Sequence, residues 1–256
     1  MNICIIGDGL TSLSLAKNLI NKKINVHIYY KKIVNNFLSS RTIGMSKNNL
    51  DFFEKNIIKL PKKIKWKIKK IEIYSEKLKN KVLDFRNNNK DLFCMMKNDE
   101  LYKLLNDKLL KSKFFKKKII NKSFFYDQLL RKNNYDLIIN CDQNNPISKK
   151  YFIQRFEKDY KNFAYTTILE HVKLKNNSAI QVFTKQGPVA FLPISNTKTS
   201  VVCSLDTSNK NYNENEILKL INKHNPKFNI IRNSEFFFTL NFGLCLFISC
   251  NISLSL

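Results

Sequence analysis

Gly7 and Gly9 are two of only five glycines in 256 residues, and they follow directly on an apolar run, Ile3-Cys-Ile-Ile6. With no side chain at either position, the backbone lets a pyrophosphate come close. Leu10, Leu13, Ala16, Leu19 and Ile20 then repeat at helical spacing. The first turn of such a helix offers unpaired N–H groups and the positive end of its dipole to an anion. Ser12, at the helix start, stands where G-x-G-x-x-G has its third glycine. A second apolar run, Val26-His-Ile-Tyr-Tyr30, completes a βαβ unit of the dinucleotide-binding kind. The same glycines also suit a tight strand-to-helix turn with no ligand.

The remaining elements must position this turn. Residues 32–60 read as irregular, carrying Ser39-Ser-Arg41-Thr-Ile-Gly44-Met-Ser46 before a helix around Asn48 to Asn56. From Lys65 to Phe85 apolar and charged residues alternate, as in a hairpin or a pair of strands. Residues 98–112 place Leu101, Leu104, Leu105, Leu109 and Leu110 on one helical face. Leu137 to Cys141 reads as a buried strand ending in Asp142-Gln-Asn-Asn-Pro146. Tyr165–Leu169, Ser178–Thr184, Val189–Ile194 and Ser200–Leu205 alternate like antiparallel strands, and a helix is predicted over Glu214–His224. The expected fold class is α/β: a Rossmann-like domain over 1–150, with a β excursion near 65–92, interleaved with a mostly antiparallel sheet over 151–235. An uncharged apolar tail, 236–256, follows.

The net charge of +25 raises nucleic acid or an anionic membrane as a partner. Of the 45 basic residues only five are arginine (41, 86, 131, 155 and 232), which leaves 40 lysines. A nucleic-acid reader leans on arginine for bidentate contacts. The lysines are scattered, with no basic helix or stacking platform, so no specific nucleic acid is expected. Weak attraction to an acidic membrane surface remains open. The six cysteines form no C-x-x-C and no metal-ligand spacing with the three histidines. Cys4 and Cys141 sit in apolar strands, which points to a reducing cytoplasm, and no signal peptide is expected. His27, His171 and His224 read as structural or solvated.

Three segments in order resemble the FAD-dependent aromatic hydroxylases, and within them the ubiquinone-biosynthesis hydroxylase branch. They are the opening glycine turn; Asp136-Leu-Ile-Ile-Asn-Cys-Asp142-Gln-Asn-Asn145-Pro146, which is similar to a strand ending in Asp-Gly-x-Asn-Ser; and the run from Ala179 to Pro193, with A-x-Q-x-F followed by G-P-x-A-x-L-P. Arg41 with Ser46 is similar to an Arg-x-x-x-x-Ser segment near the flavin. The resemblance covers residues 1–235. It implies that the 1–150 domain binds FAD, that NADH or NADPH serves as a transient reductant, and that one oxygen atom of dioxygen reaches an electron-rich phenolic ring. The substrate would be a polyprenylated, ubiquinone-precursor phenol, with peripheral membrane contact and other ubiquinone-pathway enzymes as partners. The cofactor carries the hard chemistry, so no side-chain nucleophile is required, and none of the hydrolase or metalloprotease signatures occurs.

Carried over residue by residue, the resemblance puts Gly7, Gly9 and Ser12 at the FAD pyrophosphate and Arg41 at the flavin or phosphates. Asp142 would accept from a cofactor hydroxyl, and Gly187 and Pro188 would lie near the isoalloxazine ring. Each has a plainer competitor: Arg41 as a surface residue, Asp142 as a turn or cap former, Gly187-Pro188 as a hairpin turn. The sequence departs from the pattern at Ser12, at Tyr30 where the family carries a ribose-binding acid, at Gln143 and at Pro146. A later Gly-Asp-x-x-His segment is not found. In its place, 236–256 runs 21 residues without a charge. That tail reads as a membrane anchor, as buried strands, or, the preferred expectation, as truncation or degeneration. Two further functions therefore stand beside the enzyme: a non-catalytic relative that binds FAD weakly or not at all, and a basic protein for anionic membranes or nucleic acid.

Overall fold

In a computed structural model, the described residues are 1–31, 41–77, 81–86, 91–120, 126, 128–129, 134–142, 145–151, 154–208, 212–233 and 237–248; at 149–151, 154–160, 231–233 and 237–248 the backbone path alone is given. Gln143 lies outside them, as do 249–256.

The chain opens with β1 (Asn2–Ile6), α1 (Leu10–Asn21) and β2 (Asn25–Tyr30). Next come β3 (Thr42–Ser46), α2 (Lys47–Asn56), β4 (Trp66–Ile68), β5 (Lys70–Ser75), β6 (Lys81–Arg86), β7 (Phe93–Lys97), α3 (Asn98–Leu110) and β8 (Phe115–Ile119). β9 (Leu137–Asn140), α4 (Pro146–Tyr151), β10 (Gln154–His171), β11 (Ser178–Thr184), β12 (Gly187–Pro193) and β13 (Lys198–Asp206) follow. α5 (Glu214–Lys223), β14 (Ile230–Asn233) and β15 (Phe237–Ile248) complete the order.

The first sheet has the order β8-β2-β1-β9 and is parallel at every pairing. β1 is one of its two inner strands, and its faces pack into two cores, Ile3 and Ile5 with α1 and α3, and Cys4 and Ile6 with Tyr126 and Ile147. Four residues are therefore buried one after another. This explains a continuous apolar run where an edge strand would alternate. Leu13, Ala16 and Ile20 anchor α1 to one core, shared with Leu101, Leu105 and Leu109 of α3. Each fully buried leucine or isoleucine is worth about 1.5–3 kcal/mol against exposure, which outweighs the poor propensity of Ser and Thr in α1.

The second sheet runs β14-β10-β13-β12-β11-β5-β6, with β15 also on β10. Pairing is antiparallel except between β11 and β5. Thus β5 and β6 leave the first βαβ unit behind and extend the far sheet. β10 bends where its register against β15 shifts between Asp159 and Asn162. Lys161 takes φ 51 there, the left-handed conformation that a bulge uses. α5 lays Ile217, Leu220 and Ile221 on this sheet, against Leu169, Phe191 and Val201. Its N-terminus is closed by a reciprocal capping box between Asn213 and Glu216.

A small antiparallel sheet, β3-β7-β4, joins the two. Ile68 and Met95 pack against Ala179, Leu192 and Ile194. Thr42 Oγ1 donates to Ser200 Oγ at 3.1 Å, and Trp66 Nε1 donates to the Asn176 carbonyl at 2.6 Å. The uncharged stretch Phe237–Ile248 is a strand antiparallel to β10, pairing from Thr166↔Phe237 to Gln154↔Ile248. Of the three readings of the tail, strand pairing is the one this stretch adopts. Among the described residues, no helix is long and apolar enough to cross a membrane.

Candidate nucleotide site

The glycine turn sits at the carboxyl end of β1, beside the carboxyl ends of β2 and β9. Gly7 N–H donates to the Tyr29 carbonyl at 2.8 Å, and Cys141 N–H donates to the Ile6 carbonyl at 2.8 Å. Gly7 has φ +115, and a Cβ there would come within 3.2 Å of the Cys141 carbonyl carbon and 3.3 Å of the Asp142 nitrogen. Glycine is therefore dictated by the backbone itself. Gly9 differs. It is the N-cap of α1 with extended geometry, and a Cβ there would meet nothing within 4 Å. No side chain caps α1, and its first turn holds no acid. The open space and uncapped N–H groups together make a cradle suited to a phosphate anion.

Ser12 is fully buried, and its hydroxyl lies against Cys141. Burial pushes the Cys141 thiol up, and the Ser12 hydroxyl only partly offsets this. The third glycine position therefore faces the interior, between helix and strand. Asp142 follows β9. Its N–H donates to Asn140 Oδ1 at 3.1 Å, and its carbonyl accepts from Ser148 Oγ at 3.1 Å. Asn145 is buried, donates to Asn140 Oδ1 at 2.6 Å and accepts from Ser148 N–H at 3.0 Å. It thereby caps α4, and Pro146 takes the first helical position where its missing N–H costs nothing. The Tyr126 phenol is buried close by, pushed up first by burial and then by the Asp142 charge.

Gly7, Gly9, Ser12 and Asp142 are thus gathered at one edge. Arg41 precedes β3, half-buried, with its carbonyl accepting from Asn98 N–H at 2.9 Å at the start of α3. Ser46 caps α2 by accepting from Asn49 N–H. Gly187 and Pro188 belong to the other sheet, at the turn between β11 and β12. Gly187 has φ +133, and a Cβ would stand 2.0 Å from the Ser204 carbonyl oxygen. The positive φ and the close approach of β13 both call for glycine at this turn. The end of β12 that meets the nucleotide half is the opposite one, at Leu192 and beyond it Ile194.

The sequence reading missed four residues at the site. Asp8, between the two glycines, pairs with Lys117 Nζ at 2.8 Å and accepts from the Tyr102 hydroxyl at 2.7 Å. Lys117 also donates to Tyr102 Oη at 3.0 Å and to Asn106 Oδ1 at 2.9 Å. Its ammonium lies 4.7 Å from the centre of the Tyr30 ring. Burial, then the Asp8 carboxylate, pushes the Tyr102 phenol up, so it stays a donor. Nothing local signalled this cluster: Asp8, Tyr102 and Lys117 are far apart in sequence, and Lys117 lies in a lysine triplet that reads as a solvated face.

His171 and His27 are held by hydrogen bonds within the fold. His171 is buried, with Nε2 2.9 Å from Thr199 Oγ1 and Nδ1 2.9 Å from the Val172 carbonyl. His27 Nδ1 lies 2.7 Å from Tyr135 Oη, and burial, then Lys116 and Lys118, pushes the ring down.

This fold recurs in known structures. An FAD-containing monooxygenase from Photorhabdus luminescens superposes with a TM-score of 0.65 at 12% identity, covering 96% of this chain and 77% of that one. The chain has the fold of FAD-dependent monooxygenases. A 2-methyl-3-hydroxypyridine-5-carboxylic acid oxygenase gives 0.62 at 11% identity, over 81% of this chain and 59% of the other. CtdE, determined with FAD and a substrate, gives 0.60 at 11% identity, over 87% and 63%. The chain thus spans less than two thirds of the length of the latter two. No protein-family model matches the chain, and no curated protein sequence does.

Proposed function

We propose that the chain is an FAD-dependent monooxygenase acting on an aromatic ring, with a polyprenylated, ubiquinone-precursor phenol as the substrate class. The single observation that carries this is the cradle at Gly9, where open space and the uncapped, acid-free start of α1 meet at the carboxyl edge of a parallel sheet. The fold shared with FAD-containing monooxygenases supports the choice of FAD over a mobile nucleotide as the resident group. When bound, FAD would supply oxygen activation after reduction by NADH or NADPH.

The chain's own residues would bind and orient. Gly9 and the first-turn N–H groups of α1 would receive the pyrophosphate. Gly7 keeps the turn tight against Cys141 and so sets where those N–H groups point. Asp142, on the β9 edge, would accept from a cofactor hydroxyl, held in place by its backbone bonds to Asn140 and Ser148. Arg41, beside the start of α3, would meet flavin or phosphate charge. A lysine-rich exterior would favour peripheral contact with an anionic membrane, where a prenylated substrate resides.

A second reading, a relative that keeps the fold without binding FAD, is favoured by one observation. Tyr30 ends β2 where nucleotide folds carry the ribose acid, and no carboxylate can act from that side chain. Titrating purified protein with FAD separates the readings. Saturable flavin uptake with a protein-bound absorption spectrum supports the enzyme. Protein that stays colourless with excess FAD supports the second reading.

A further inference from the structure

We infer that Asp8 supplies the ribose-binding carboxylate that β2 lacks, so that the acceptor has moved one strand over, into the glycine turn. The inference rests on the flavin reading above. In nucleotide-binding βαβ folds, an acid about twenty residues beyond the glycines takes the ribose hydroxyls at the end of β2. Tyr30 occupies that place here. Ile6 is in register with Tyr29, and Gly7 N–H bonds the Tyr29 carbonyl, so Gly7 stands level with Tyr30 and Asp8 is the next residue beyond it on the adjacent strand. The Lys117 ammonium bridges the two positions, 2.8 Å from Asp8 Oδ1 and 4.7 Å from the Tyr30 ring centre.

Tyr102 uses one acceptor site on Asp8 Oδ2, and Lys117 ion-pairs with Oδ1 at 2.8 Å, whereas a carboxylate has about four acceptor sites in all. The Asp8 side chain keeps 18% of its surface open, against 11% for Lys117. Oδ1 is buried beside the lysine, so Oδ2 is the oxygen left to meet a diol. Lys117 also answers an objection. A bare carboxylate between two pyrophosphate-binding glycines would repel the anion, whereas a lysine at 2.8 Å balances its charge. Lys117 is held by its hydrogen bonds to Tyr102 and Asn106 and by its ion pair with Asp8, and Tyr102 in turn donates to Asp8 Oδ2, which fixes the carboxylate's orientation.

The test reads binding alone. ADP and 2′,3′-dideoxy-ADP compete with FAD on the wild type, on Asp8→Asn, and on Asp8→Asn combined with Tyr30→Glu. A charge-assisted bond to the diol predicts that wild type prefers ADP by about tenfold or more. Asp8→Asn should lose that preference, and Tyr30→Glu should restore it by returning a carboxylate to β2. Asp8→Ser serves as a second variant if Asp8→Asn folds poorly, and the wild-type preference needs no variant. Wild type that binds FAD without distinguishing the two competitors, or Asp8→Asn that still distinguishes them, overturns this assignment alone. Wild type that takes up no FAD overturns the flavin reading and this assignment with it.

Discussion

Three of the glycines carry different burdens, and alanine at each separates fold from ligand. Gly7→Ala forces φ +115 on a β-carbon that already crowds Cys141, and should cost about 1–3 kcal/mol in urea unfolding. Gly187→Ala adds a direct clash with the Ser204 carbonyl, and should cost on the order of 3 kcal/mol. Gly9→Ala meets nothing, so the unfolding midpoint should hold to within roughly 0.5 kcal/mol. Its flavin affinity should nevertheless fall, because the new methyl stands in the phosphate's approach. Equal FAD affinity in Gly9→Ala and wild type would remove the cradle from the account. The importance of Gly7 and Gly9 was legible in sequence because both follow an apolar strand and open a helical repeat. The burden of Gly187 was not, since the crowding atom belongs to Ser204, a neighbour only once β12 pairs with β13.

At the scale of elements, one carboxylate fastens the large sheet to its helix. Glu76 follows β5, lies 2.8 Å from Lys223 at the end of α5 and accepts from Lys185 N–H at 3.0 Å. The hydrogen bond from Lys223, then that from the Lys185 backbone, draws its carboxyl down to about 2. A depressed carboxyl stabilises the fold above the unfolded value, near 4.3 for a glutamate. That contribution fades as pH falls from about 4.5 toward 2. Thermal unfolding should therefore steepen its acid dependence in that window, and Glu76→Gln should flatten it; an unchanged profile would contradict the clamp. The helix α5 itself was readable from its apolar spacing and its Asn213–Glu216 cap. The clamp was not, because Glu76, Lys185 and Lys223 meet only after three separate elements pack. β15 shows the converse. A run of 21 uncharged residues left a membrane anchor, buried strands and truncation open, and over Phe237–Ile248 the chain pairs with β10 as a strand.

For the whole molecule, the alternation of a glycine-turn βαβ with antiparallel strands gave the architecture directly, since periodicity records which faces are buried. Two things escaped. The transfer of β5 and β6 into the far sheet depends on the parallel pairing of β5 with β11, across about a hundred residues of chain. The site's electrostatics depend on Asp8, Tyr102 and Lys117 converging from a turn, a helix and a strand. Both are products of the fold, invisible to any local pattern. The central claim is that this fold still holds a flavin. Dialysis of the purified protein against excess FAD, followed by its absorption spectrum, tests that directly. The account predicts stoichiometric flavin that stays with the protein and is reduced in Gly9→Ala; protein that emerges colourless would contradict it.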